Sequence, residues 1–281
     1  MPLVIKYYGL HMSTKKTLLA LSFTILIAIV WLFYAQPYDP PRDYPPLSNE
    51  ERQRMDLKLF NELSVSGSWP NKTVEMRQQL ILDMAKQGFE VADLAYQLLD
   101  INPGISSGRH MLMPWEWGTY RHLRKLADKG DPSAQCLAAL VISRWNLNMR
   151  DYEKYVIAAY KAGHPYCTFL MIAVTNSPAR PWQQIPADVR KKMKELESLA
   201  AKKGVQWVQL YLMRSYGQGI NGYPLDIGKA KCWFTLAEAV DTGATLTARS
   251  SLAGFKHQAK KKGLNVSEQY DPKQWCETKL T

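Results

Sequence analysis

The feature that most constrains this chain is a recurrence. Five helix-type segments end in glycine: LDMAKQG at Gly88, LRKLADKG at Gly130, IAAYKAG at Gly163, LAAKKG at Gly204 and LAEAVDTG at Gly243. A further apolar helix-type run follows each of them. Successive glycines stand 42, 33, 41 and 39 residues apart. Such an interval holds two helices and two turns, so the repeating unit is a helical hairpin. Glycine suits the position because it adopts the left-handed conformation that closes a helix. Four residues beyond each glycine stand Ala92, Ala134, Cys167, Val208 and Thr247, all small or β-branched, as close helix packing requires. No convincing alternating strand pattern occurs, and 46% hydrophobic content excludes disorder throughout. The expected fold is all-α, a solenoid of α/α hairpins.

The N-terminal end obeys a different rule. Thr17 to Ala35, TLLALSFTILIAIVWLFYA, is uncharged for 19 residues, enough at helical rise to cross a hydrocarbon core of roughly 30 Å. Lys6, Lys15 and Lys16 precede it and no acid does, whereas Asp39, Arg42 and Asp43 follow, which places residues 1–16 in the cytoplasm and the bulk outside. Trp31, Phe33 and Tyr34 suit the outer headgroup level. A cleaved signal peptide is the competing reading. The run is long for that, and Phe33 spoils the small-x-small pattern, so 17–35 reads as an uncleaved anchor. No cysteine is placed for a lipoprotein anchor. Met12 is an alternative start to Met1. Residues 36–47 carry five prolines and read as a semi-rigid spacer. Ser48, followed by Asn49, Glu50 and Glu51, signals a helix start. The repeat domain is then expected over 48–263, with 264–281 a cap or tail.

The stretch from Leu199 to Ala239 resembles the Sel-like repeat, a relative of the tetratricopeptide repeat. The resemblance rests on Ala201, Gly204, Leu212, Tyr216, Gly217, Gly219, Asp226, Lys229, Ala230, Trp233 and Ala237, in that order. It implies that Gly217 and Gly219 make the loop between two helices, that Asp226 caps the second, and that Ala230, Trp233 and Ala237 form its buried stripe. Weaker units extend it over about residues 75–260. The unit after Ala127 keeps Gly130, Asp131, Ala134 and Gln135 and puts Tyr155 where tryptophan is expected, and Ser177 to Val189 interrupts the next unit as a loop or insertion.

Charge bounds the partners. The chain carries +11; with three lysines before residue 36, the outer part carries +8, 33 basic against 25 acidic residues. Acidic partners are favoured. The basic residues are dispersed and predicted to lie outside the cytoplasm, which speaks against nucleic acid. Arg190-Lys191-Lys192 and Lys260-Lys261-Lys262 read as solvated helix faces. Cys136, Cys167, Cys232 and Cys276 are candidate disulfide partners in an oxidising compartment, with three connectivities open. For Cys136 a merely buried thiol competes equally.

No catalytic constellation is evident. His11, His110, His122, His164 and His257 are scattered; His164 with Cys167 offers two metal ligands where a structural zinc needs four. Gly217-x-Gly219-x-x-Gly222 has the letters of a dinucleotide fingerprint but joins two helices. No catalytic, cofactor-binding or metal residue is therefore assigned. Trp207 and Trp233 read as core. Trp115 and Trp117, in a loop flanked by proline and glycine, and Trp182, beside Pro181, are the candidate interface residues, since loop aromatics lack a periodic packing reason.

The expected protein is a single-pass bacterial inner-membrane protein with a periplasmic repeat domain that binds another protein. The resemblance implies two versions: an immunity protein against a type VI secretion phospholipase effector, or a scaffold or regulator of an envelope complex.

Overall fold

The computed structural model describes residues 22–26, 28, 46–64, 74–99, 112, 116–175, 184–240 and 245–261. From Asn49 onward the described residues hold eleven helices and no strand: α1 Asn49–Ser64, α2 Val74–Lys86, α3 Glu90–Leu98, α4 Glu116–Asp128, α5 Pro132–Arg144, α6 Met149–Lys161, α7 Pro165–Thr175, α8 Ala187–Lys202, α9 Gln206–Gln218, α10 Ile227–Glu238 and α11 Thr245–Lys261. Sequence neighbours pack on one another along the whole series, the arrangement of a helical repeat. The proposed span 17–35 is described only at residues 22–26 and 28, the spacer only at its last two residues, and 264–281 lies outside the described residues. Among the described residues no helix is long and apolar enough to cross a membrane.

Four of the five glycine turns are built as the recurrence predicts, and Gly243 lies outside the described residues. Gly88, Gly130, Gly163 and Gly204 have φ of +98°, +95°, +86° and +89°. Each glycine N–H donates to a carbonyl three residues back, and the next N–H donates to one five back, as in Gly204 to Ala201 at 3.0 Å and Val205 to Ala200 at 3.1 Å. This double closure satisfies carbonyls that a helix end leaves open. Two turns share a second device: Gln135 and Gln209, five residues past their glycines, donate to the carbonyls of Ala127 and Ala201 at 3.1 and 2.9 Å. Helix starts are equally local. Asp131 and Asp226 accept from Ala134 N and Lys229 N at 2.9 Å each. Ser48 and Glu51 form a reciprocal capping box, Glu51 N–H to Ser48 Oγ and Ser48 N–H to Glu51 Oε2.

Small residues fill the contacts between hairpins: Ala92, Ala134, Cys167 and Val208 are fully or almost fully buried. Ala201, Leu212, Ala230 and Ala237 are buried, Trp233 is 5% exposed, and Tyr155 occupies the core position anticipated for tryptophan. Tyr216 is partly buried against this core.

Helix α1 lies outside the hairpin register. It crosses three successive glycine turns as a strap. Arg52 pairs with Asp131 beyond Gly130, Asp56 with His164 beyond Gly163, and Asn61 brackets the turn at Gly204, donating to Gly204 O at 3.1 Å and accepting from Gln206 N at 3.0 Å. A Cβ on Gly204 would lie 3.0 Å from Leu57 Cδ2, so that glycine serves both the turn and the approach of the strap. Leu59 and Phe60 bury completely beneath it.

Four expectations are corrected. Trp207 is 44% exposed rather than in the core. Gly217 is not in the loop: it is the penultimate residue of α9, and its missing side chain admits the ring of Phe255, and of the two glycines only Gly219 has a left-handed φ, +68°. The interruption from Ser177 does not run to Val189, because α8 begins at Ala187. Trp117 stands on α4 rather than in a loop, half-buried edge-on to Tyr120.

Candidate functional site

Two features of the described residues exceed what packing requires, and they adjoin. The first is an aromatic row across the opening helices of two consecutive hairpins. Helix α7, PYCTFLMIAVT, has no charged residue. A helix apolar all round is ordinarily buried, yet Phe169, Leu170, Met171, Ile172 and Val174 are only half-buried. On the neighbouring α9, Trp207 stacks flat on Tyr211, with centroids 5.9 Å apart and planes at 7°, and its other neighbour is Phe169 at 4.9 Å. The row continues inward through Tyr166 to Phe60 on the strap.

Position explains why the row opens at Trp207. The residues three past each turn glycine are Val91, Ser133, Tyr166 and Trp207, and the first three are buried. Phe60 covers Tyr166 from α1. On α9 the strap's Asn61 accepts from the N–H of Gln206, the residue before Trp207.

Polar groups hold the outer end of the row rigid. Asn221, itself left-handed at φ +53°, donates to Tyr211 Oη at 3.1 Å. Glu197 on α8 is buried and accepts the Tyr223 hydroxyl. Burial raises its carboxyl above the ordinary range, and the Tyr211 phenol is pushed up to about 12, by burial first and the Glu197 charge second. Lys194 lies 4.6 Å over the Tyr223 ring and donates to Gly222 O. Beside it, Arg190, Lys191 and Lys194 line an open basic cleft of about 570 Å³. These groups lock one another in place: among the described residues, Tyr223, Tyr211 and Lys194 face the Glu197 carboxyl.

The second feature is buried. Cys136 on α5 and Cys167 on α7 form a disulfide, Cα atoms 5.7 Å apart, which joins the opening helices of adjacent hairpins. His164 sits against it. Its Nδ1 accepts the Cys167 N–H at 3.2 Å, making the imidazole the cap of α7. Its Nε2 lies 2.7 Å from Asp56 Oδ2, close but too bent for a straight hydrogen bond. Phe60 stands edge-on to the ring at 4.6 Å.

Of the residues singled out for function, Trp117 packs on Tyr120, away from the row, and Trp115 and Trp182 lie outside the described residues. Cys136 and Cys167 come together as a bridge. Cys232 is also disulfide-bonded, and Cys276 lies outside the described residues. Sequence reasoning missed Asp56, whose approach depends on the strap, and the open position of Trp207. Comparison with protein-family models, curated proteins and solved structures finds no match, so the chain's own geometry carries the functional reading.

Proposed function

We propose that this chain is a membrane-tethered protein-binding solenoid that grips its partner through the Phe169–Trp207–Tyr211 face. The observation that carries the reading is the 44% exposure of an indole held between two rings. Rigid, pre-stacked aromatics bind at low entropic cost and dominate interface hot spots. Helices α7 and α9 together contain no acid, and Arg214 is their one formal charge. A partner offering apolar groups ringed by carboxylates fits this face and the +8 of the outer part.

The lysine-flanked apolar run 17–35 and the proline-rich spacer 36–47 support an inner-membrane tether with the array on the periplasmic side. The resemblance to Sel-like repeats favours, within that frame, an immunity protein that neutralises a secreted phospholipase; scaffolding of an envelope complex is the other version. We assign no catalytic role.

The test is affinity capture by the full-length protein in mild detergent, with Trp207→Ala and Tyr211→Ala beside the parent. The reading expects one stoichiometric protein partner, lost or weakened at least tenfold by either substitution, with unchanged helicity. A phospholipase as that partner selects immunity. Undiminished capture by both variants overturns the assigned face.

A further inference from the structure

The buried centre beneath the strap has donors beyond those a structural cross-link needs. The Sγ atoms of Cys136 and Cys167 and a ring nitrogen of His164 all lie within 4.8 Å of one another, and all three residues are buried. Asp56, on a helix 108 positions away in sequence, approaches the far nitrogen of the same imidazole. A carboxylate beside one nitrogen of an imidazole that itself lies against two sulfurs is the outer-shell arrangement that orients histidine ligands in metal sites.

We propose that the reduced Cys136–Cys167 pair, together with His164, binds one thiophilic monovalent ion, Cu(I), and that disulfide formation closes the site. Cu(I) fits this donor set better than Zn(II). Two thiolates and one imidazole satisfy a soft three-coordinate ion, whereas zinc completes a tetrahedron with a fourth ligand. Among the described residues no fourth metal-ligating side chain joins the cluster. Asp56 is a positioning residue here: it holds the imidazole from behind and does not touch the metal.

The chemistry balances in two steps. A dithiol reductant gives two electrons and two protons to the S–S bond, leaving two Cys thiols and the reductant as its own disulfide. Cu(I) then displaces one proton from each thiol, forming two S–Cu bonds and one N–Cu bond to the His164 lone pair, with no further electron transfer. While the His164 Nδ1 lone pair accepts from the Cys167 N–H, metal binding exchanges that hydrogen bond for coordination.

The test uses the full-length protein with Cys232→Ser and Cys276→Ser, so that one pair remains. It is reduced by a phosphine in guanidinium, refolded without oxygen, and checked for two free thiols and native helicity. The probes are Cu(I), delivered from a coloured chelator, and Zn(II) in a parallel titration. The expected result is one equivalent of Cu(I) taken up by the reduced protein and none by the oxidised form. Cys136→Ser and His164→Ala should abolish uptake, and Asp56→Asn should weaken it about 10- to 100-fold. Weakening by Asp56→Asn separates this role from a purely structural one, since the two thiols are intact in that variant. No uptake by the folded dithiol form, uptake unaffected by Cys136→Ser, or uptake of Zn(II) in preference to Cu(I) would each overturn the assignment.

Discussion

Gly217 and Gly254 lie on adjacent packed helices, and the geometry gives the same substitution opposite signs at the two. A Cβ at Gly217 would lie 2.3 Å from Phe255 Cδ2 and 2.8 Å from its Cε2, whereas carbon atoms settle at about 3.5–4.0 Å. The Phe255 ring, buried between α9 and α11, must retreat by more than an ångström. Overpacking of this kind costs about 1–3 kcal/mol, and the better helix propensity of alanine returns about 1 kcal/mol. A contact this far inside van der Waals range takes the upper part of that penalty, about 2–3 kcal/mol, so Gly217→Ala should destabilise by about 1–2 kcal/mol after the helix gain. At Gly254, also helical, an added Cβ meets no heavy atom within 4 Å, so Gly254→Ala should stabilise by about 0.5–1 kcal/mol. Urea denaturation of the full-length protein in mild detergent, followed by far-UV circular dichroism, reads both as midpoint shifts at constant slope. Phe255→Ala supplies the control, because in that background Gly217→Ala should lose its penalty. A neutral or stabilising Gly217→Ala in the parent would refute the reasoning.

Trp233→Ala removes a core side chain that is 5% exposed and should cost about 3–5 kcal/mol, whereas Trp207→Ala should stay within about 0.5 kcal/mol; equal effects in thermal melts would contradict the assignment of one to core and the other to surface. Asp226→Ala should cost about 1 kcal/mol by stripping the Lys229 N–H of its cap, read from the same melts. Because burial raises the Glu197 carboxyl in the folded state, its contribution is greatest below the ordinary carboxyl range near 4.5 and is lost as pH rises through the raised value. Glu197→Gln should accordingly match the parent near pH 4 and gain on it toward pH 8. A gain that instead shrinks with rising pH would show that the carboxyl is not raised.

What could be read from the residues alone was local. The glycine recurrence anticipated the turns because a left-handed closure depends on a few neighbouring residues, and Asp131, Asp226 and Ser48 cap helices for the same reason. Trp233 was legible because its helix turns one face to the hairpin. Trp207 was misjudged because burial at its position comes from another element: Tyr166, at the equivalent place, is covered by Phe60 of the strap, and Trp207 is not. No periodicity announces how far a strap reaches. The Cys136–Cys167 pairing has a faint trace in that both cysteines follow turn glycines, six and four residues on, so they lie near the starts of adjacent opening helices. Asp56 leaves none, because α1 stands outside the repeat.

The central claim is that the aromatic row grips the partner, and it is tested most directly by hydroxyl-radical footprinting of the full-length protein with and without its captured partner. The account predicts protection of Trp207, Tyr211 and Phe169 in the complex while Tyr96, exposed on α3, reacts as before. Protection confined to other surfaces, such as the cleft at Arg190, Lys191 and Lys194, with the row unchanged, would contradict it.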